Sequence, residues 1–333
     1  MRTKRIVVIG ASAGGIEALR ELVARLPADF PAPIAVVLHT SPQSPGVLGE
    51  ILSRAGALPA TIARDRERLS PGHIYVAAPD CHLLVEPGRV RVTKGPRENR
   101  FRPAIDPLFR SAAQVFGPAT IGLVMTGNLD DGTAGLWAIK QLGGTAIVQH
   151  PEDAMFSGMP LSALRHVRVD HAVPLAELAP LLVQLTSELE VEEPKVPVPR
   201  DVEVEVNIAK EQNPLDAGLG EIGEPSVIAC PECHGVLLQL KEGSRTRFRC
   251  HTGHAYSFDS LVSGISEGVE EALWKAVRAL EEADLLMRGM SAHLKEHDGH
   301  EADALIARAA EAKRQSEVIR QLLVHREPLV TEP

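Results

Sequence analysis

Aromatic residues are scarce in this chain: they make up 3% of 333 residues, against an ordinary 44% hydrophobic content. Its cores must therefore be built mainly from aliphatic side chains. Cysteine is also sparse. Four cysteines are too few for a disulfide scaffold at this length, and three of them fall between Cys230 and Cys250, which points to metal binding in a reducing cytoplasm. No uncharged apolar run is long enough to span a membrane, and the first five residues lead directly into an apolar strand, so neither membrane insertion nor a signal peptide is expected. Positive charge is in deficit as well. A net charge of −9 argues against a general nucleic-acid binder. The length suggests two or three structural units.

The chain is organised around residues 6–15, I-V-V-I-G-A-S-A-G-G. Four apolar, mostly β-branched residues predict a short buried strand. Gly10 to Gly14 form a small-residue turn, and Ile16, Leu19, Leu22, Val23 and Leu26 then recur at helical spacing up to Pro27. The turn fits G-x-S-x-G, which can present a serine beside the N–H groups of a helix N-terminus. The same residues also suit the glycine-rich first turn of any doubly wound sheet.

Strand-like and helix-like stretches alternate to about residue 185, predicting an α/β fold, doubly wound with a largely parallel sheet. Three polar residues stand at three strand ends: Ser12, His39 after Ile34–Leu38, and Asp131 after Thr120–Met125. In a parallel sheet these ends share one edge, and serine, histidine and aspartate are the set that acyl transfer requires. His39 would take the Ser12 proton and Asp131 would orient the imidazole. N–H groups around Ala13 and Gly14 would hold the oxyanion. Alone, each residue has an ordinary alternative: His39 a hydrogen-bonded structural group, Asp131 the cap of the helix that follows it. A dinucleotide site at this turn fits poorly, because residues 10–15 do not match G-x-G-x-x-G and the second strand ends in histidine. An ordinary α/β-hydrolase would order its triad serine, acid, histidine.

Residues 186–225 hold eleven acidic residues, three basic residues and five prolines, the composition of a solvated linker. A Cys/His module is expected at 226–257, where Cys230, Cys233, Cys250 and His254 have zinc-ribbon spacing around a hairpin. His251 is the alternative fourth ligand. A structural zinc would hold this small segment together, and no cofactor is expected for catalysis. Residues 258–327 show helical periodicity broken at His297-Asp298-Gly299, predicting a helical hairpin that packs on itself or docks an unknown partner. Arg100, Arg102 and Arg110 form a basic cluster near the predicted site, either a solvated surface or a dock for acidic helices.

Residues 1–185 resemble the CheB-type protein-glutamate methylesterases. The resemblance rests on G-A-S-A-G-G, H-T-S-P, P-G-H-I-Y-V-A-A-P-D-C-H-L-L-V from Pro71, R-P-A-I-D-P-L-F-R-S-A-A from Arg102, and T-G-N-L-D-D-G-T-A-G-L from Thr126. It implies Ser12 as nucleophile, His39 as base and Asp131 as acid. It also implies hydrolysis of glutamate methyl esters on chemoreceptor-like proteins, with possible glutamine deamidation, in a chemosensory system. Asn128-Leu129 stands where the family usually carries Met-Gly, close to the active site. Familiar members begin with a phosphoacceptor receiver domain, whereas here the strand of the site starts at residue 5. Activity is therefore expected to be constitutive or controlled by the C-terminal region. The competing class is a non-catalytic interaction protein that keeps this fold.

Overall fold

The computed structural model describes residues 5–187, 196–243, 245–295, 299–327 and 329. Its centre is a seven-stranded sheet of β1 (Ile6–Ala11), β2 (Ile34–Leu38), β3 (Ala60–Ile62), β4 (Ile74–Val76), β7 (Thr120–Val124), β8 (Thr145–Gln149) and β9 (His171–Val173). The strands run in the order β3-β4-β2-β1-β7-β8-β9, and every neighbouring pair is parallel. β5 (His82–Glu86) and β6 (Arg89–Thr93) form a separate antiparallel hairpin turning at Pro87-Gly88.

Successive side chains of β1 enter opposite apolar cores. Ile6 and Val8 face one; Val7, Ile9 and Ala11 face the other. Leucines and valines of α1 (Gly15–Ala24), α2 (Leu48–Ala55) and α6 (Leu175–Ser187) cover the second face. Apolar residues of α3 (Ile105–Phe116), α4 (Thr133–Gln141) and α5 (Gly158–His166) cover the first. The chain leaves β1 toward β2 on one side and later returns to its other side as β7. This is the switch point at which open α/β sheets present their sites.

Composition misleads after residue 195. Residues 188–195 of the expected linker lie outside the described residues, but residues 196–225 are not a solvated tether. They include α7 (Arg200–Ala209), α8 (Pro214–Ala217) and α9 (Leu219–Ile222). Val202 and Val206 of α7 pack into the sheet core, whereas Val204 and Ile208 pack with Leu219 and Leu240. The helix is thus buried from two sides, and its Glu205 is buried with it.

The next segment is a four-stranded antiparallel sheet, β10 (Gly223–Ala229), β11 (Val236–Glu242), β12 (Arg245–Cys250) and β13 (Ala255–Ser257), in that order. It forms one compact unit with the α/β domain, extending to Leu261. Arg110, Arg247 and Arg249 meet Glu98, Glu205 and Glu242 in a buried cluster, in which Arg249 bridges Glu98 at 2.7 Å and Glu205 at 2.6 Å. A second unit begins at Val262. There α10 (Phe258–Leu294) and α11 (Gly299–Val324) form a helical hairpin whose seam is tied by Ser291 Oγ donating to the Ala302 carbonyl. Of the predicted break, His297 and Asp298 lie outside the described residues.

Candidate active site and Cys/His cluster

Ser12 follows β1, His39 follows β2 and Asp131 lies beyond β7, so adjacent strands carry the three side chains to one edge. They are joined by hydrogen bonds. His39 Nδ1 lies 3.1 Å from Ser12 Oγ, and His39 Nε2 lies 2.7 Å from Asp131 Oδ2. The ring is used in the sense opposite to the serine-protease pattern, in which Nε2 faces the serine; either nitrogen can accept the proton when the other is held as N–H. Phe101 stacks on the imidazole, with ring centroids 3.7 Å apart and planes within 8°.

The serine turn is fixed from behind. Ser12 N–H donates to the Thr126 carbonyl, and Thr126 Oγ1 donates to the Ala13 carbonyl at 2.9 Å. Gly14 has φ 72°, and a Cβ there would press on Met155 and Thr126. At Gly127 a Cβ would lie 2.7 Å from the Ser12 Cβ, so the strand end can approach the serine only as glycine. Ala13 and Gly14 immediately precede α1, placing their amides at a helix N-terminus next to Ser12.

Asp131 is fully buried, yet every oxygen is satisfied. Oδ2 accepts from His39 and from Ile105 N–H at 2.7 Å; Oδ1 accepts from Asn99 Nδ2 at 2.9 Å, Gly132 N–H at 3.0 Å and Asp106 N–H at 3.3 Å. Burial alone would push this carboxyl up. The hydrogen bonds from His39, Ile105 and Asn99, with the His39 charge, hold it well below the usual carboxylate range. Asp106 behaves in the opposite way: burial and the nearby Asp131 charge push it up to about 7. Burial likewise raises Asp130, against the pull of Arg245 and the Ser257 hydroxyl.

Asn128 lies half-buried in the turn after β7, and Leu129 beside it adopts φ 59°. Leucine thus occupies a left-handed position at which glycine carries no strain. Two members of the expected basic cluster are engaged within the domain. Arg110 is buried against Glu98, and Arg102 is paired with Asp80 at 2.7 Å. Sequence reasoning missed Phe101 and Asn99. Both sit in the loop between β6 and α3, and their partners are distant in sequence.

Cys230, Cys233, Cys250 and His254 come together, with their ligand atoms all within 4.8 Å of one another. Cys233 and Cys250 sulfurs are 3.6 Å apart, and His254 Nδ1 is 3.7 Å from Cys230 and 3.6 Å from Cys250. Ordinary zinc bond lengths give tetrahedral edges of about 3.8 Å between thiolates and about 3.6 Å from thiolate to imidazole. The donor set fits zinc in size and chemistry. His251 is exposed and is not part of it.

A parallel sheet with these strand-end groups has the architecture of a hydrolytic α/β domain, and comparison with known proteins gives its class as methylesterase. The CheB methylesterase family model matches residues 7–182, and the chain belongs to that family. It is 39% identical over 187 residues to a protein-glutamate methylesterase/protein-glutamine glutaminase of Geobacter metallireducens, covering 55% of this chain and 54% of that one. A Xanthomonas campestris protein of the same description is 37% identical over 190 residues, covering 56% and 53%. This chain therefore spans about half the length of those two relatives. The crystal structure of the Thermotoga maritima CheB methylesterase catalytic domain aligns with TM-score 0.53 and 35% identity, covering 54% of this chain and 98% of that one. Among the described residues, no helix is long and apolar enough to cross a membrane.

Proposed function

We propose that the chain is a cytoplasmic serine hydrolase that removes methyl esters from glutamate side chains of chemoreceptor-like proteins in a chemosensory system. The observation that carries this reading is the continuous hydrogen-bonded path Ser12–His39–Asp131 at the switch point of a CheB-family sheet. Ser12 Oγ attacks the ester carbonyl while His39 Nδ1 takes its proton. Asp131 holds the opposite ring nitrogen as N–H and stabilises the imidazolium. The amides of Ala13 and Gly14 stabilise the oxyanion. His39 returns the proton to the departing methoxide, which leaves as methanol. Water, activated by the same nitrogen, then hydrolyses the glutamyl–serine ester to free carboxylate and serine. Glutamine would follow the same path with ammonia leaving. Asn128, on the neighbouring turn, would border the substrate.

Zinc held by Cys230, Cys233, Cys250 and His254 would be structural, since all four positions are filled by protein. We assign residues 1–185 to the esterase, 226–257 to the metal module and 258–327 to the hairpin. With Leu285, Leu286 and Met290 exposed, the hairpin would be the part that meets a partner.

Methanol release from methylated chemoreceptor preparations tests the reading. Wild type should release methanol and Ser12→Ala should not. If neither does while a fluorophosphonate still labels Ser12, the substrate is wrong. If Ser12 is also inert, the chain is an interaction protein that retains the fold. Metal analysis showing no stoichiometric zinc in folded protein would remove the zinc claim.

A further inference from the structure

Asn99 is buried in the loop between β6 and α3, with φ 49°. Its side chain has two donor hydrogens and one acceptor oxygen, and all are engaged. Nδ2 donates to Asp131 Oδ1 at 2.9 Å and to Asp106 Oδ2 at 3.0 Å. Oδ1 accepts from Ser257 N–H at 2.9 Å and from Ser260 Oγ at 3.2 Å. The amide's orientation is set by its surroundings, since two carboxylates lie on one side and a backbone N–H on the other.

The backbone repeats the connection. Asn99 N–H donates to the Ala255 carbonyl at 2.8 Å, and Ala255 N–H donates to the Arg97 carbonyl at 3.1 Å. The residue preceding Asp131 is gripped by the same element: Ser257 Oγ donates to Asp130 Oδ1 at 2.7 Å, and Arg245 reaches Asp130 Oδ2 at 3.1 Å. All these contacts from the C-terminal side come from β12, β13 and the start of α10. β13 begins at Ala255, next to the zinc-ligand candidate His254.

We propose that Asn99 is a positioning residue through which the Cys/His module seats Asp131, so that the site reaches its working geometry only when the module is folded around its metal. This rests on the hydrolase reading above. Two backbone amides of the α/β domain, Gly132 and Asp106, also reach Asp131 Oδ1, and Asn99 adds a side-chain donor at 2.9 Å. That side chain is itself held by residues more than 150 positions later in the chain. With the module unfolded, the Asn99 carbonyl loses both donors and the 97–99 backbone loses its strand partner. The amide can then rotate away from Asp131.

The test is the rate of fluorophosphonate labelling of Ser12 across pH, in the full chain loaded with zinc, together with hydrogen exchange of residues 97–111. Asn99→Ala should label about 10- to 100-fold more slowly than wild type. The acid limb of its profile should move to higher pH, because a carboxylate that has lost a donor stabilises the imidazolium more strongly. Ser260→Ala, which removes one anchor and leaves Asn99 in place, should shift both quantities in the same directions by less. Stripping zinc from wild type with a chelator should slow labelling and speed exchange of the Ile105 and Asp106 amides. Chelation should add little to the loss already present in Asn99→Ala. Wild-type rate and profile in folded Asn99→Ala would overturn the proposal; were that variant unfolded, unchanged behaviour of Ser260→Ala would do so. Unchanged amide exchange on chelation would also overturn it. A wild type that labels nowhere but shows the exchange change would instead overturn the hydrolase reading and leave the coupling standing.

Discussion

The Asp131 carboxylate caps a helix to which it does not belong. Its Oδ2 accepts the Ile105 N–H at 2.7 Å, at the first residue of α3, twenty-six positions away in the chain. Helix N-termini carry partial positive charge and unpaired amides, so a carboxylate placed there is stabilised before His39 contributes anything. Both carboxylate oxygens face donors, which leaves no orientation in which an amide side chain fits: one face of an asparagine would always present its NH2 to another donor.

Asp131→Asn should therefore lose function and stability together. Turnover should fall by about 10⁴-fold, the cost of the wrong histidine tautomer in a triad. Unfolding should become easier by about 1–3 kcal/mol, the penalty for leaving a buried donor unsatisfied. Methanol release and denaturant unfolding measure the two. A fall in turnover with no loss of stability would mean that α3 does not depend on this cap.

Leu129 gives a prediction of opposite sign. Its left-handed backbone, φ 59°, costs a leucine about 1–2 kcal/mol that glycine does not pay. Part of that gain is offset by the greater freedom of glycine in the unfolded chain. Leu129→Gly should thus unfold at the same or slightly higher denaturant concentration, whereas Leu129→Val, which is β-branched, should lose about 1 kcal/mol or more. Equal stability for all three would show that the turn relaxes out of this conformation.

The buried ion cluster carries a third. Arg249 is fully enclosed and bonds Glu98, Glu205 and the Gly253 carbonyl. Removing one partner from such a group leaves uncompensated charge, so Arg249→Met should cost about 3–5 kcal/mol. Arg249→Lys should recover only part of this, because an ammonium cannot reproduce the guanidinium fork. Chemical denaturation of the full chain decides the point; a neutral Arg249→Met would mean that water enters the cluster.

Much of this was legible in the sequence, for a specific reason. Ser12 and His39 stand just past apolar runs and Asp131 lies in the polar loop after a third, and in a parallel sheet the strand ends are brought together by topology. The three cysteines were readable from their spacing, whereas the choice of His254 over His251 needed the fold, which brings His254 to them. The role of α7 was not, because Val-Glu-Val-Glu-Val reads as solvated acid until Arg110, Arg247 and Arg249 surround Glu205. The hydrogen bonds that Asp131 accepts from Ile105 and Asp106 N–H are seen only in the fold, because α3 is distant from it in sequence. Asn99 and Phe101 were hidden for the same reason: their partners are distant in sequence, and no local pattern encodes them.

Asp106 supplies the dependence on pH. Its carboxyl is pushed up to about 7 from an ordinary 3.8 by burial and by the charge of Asp131, so the folded chain binds this proton more tightly than the unfolded chain does. Between those two values folding takes up a proton, and stability falls as pH rises. The contribution is whole below about pH 4 and lost as pH passes through about 7. Asp131 runs the other way, because its depressed carboxyl supports the fold above the ordinary carboxylate range and loses that support only in acid. Over pH 5 to 8 the Asp131 contribution is therefore flat, and the slope assigned to Asp106 can be isolated by subtraction. Asp106→Ala gives up hydrogen bonds from Asn99 and from Gly135 N–H, so its absolute stability should drop. Its stability should nevertheless decline less steeply than that of wild type between pH 5 and 8. Denaturant midpoints at half-unit intervals measure the difference; parallel curves for the two proteins would mean that Asp106 holds no proton in that range.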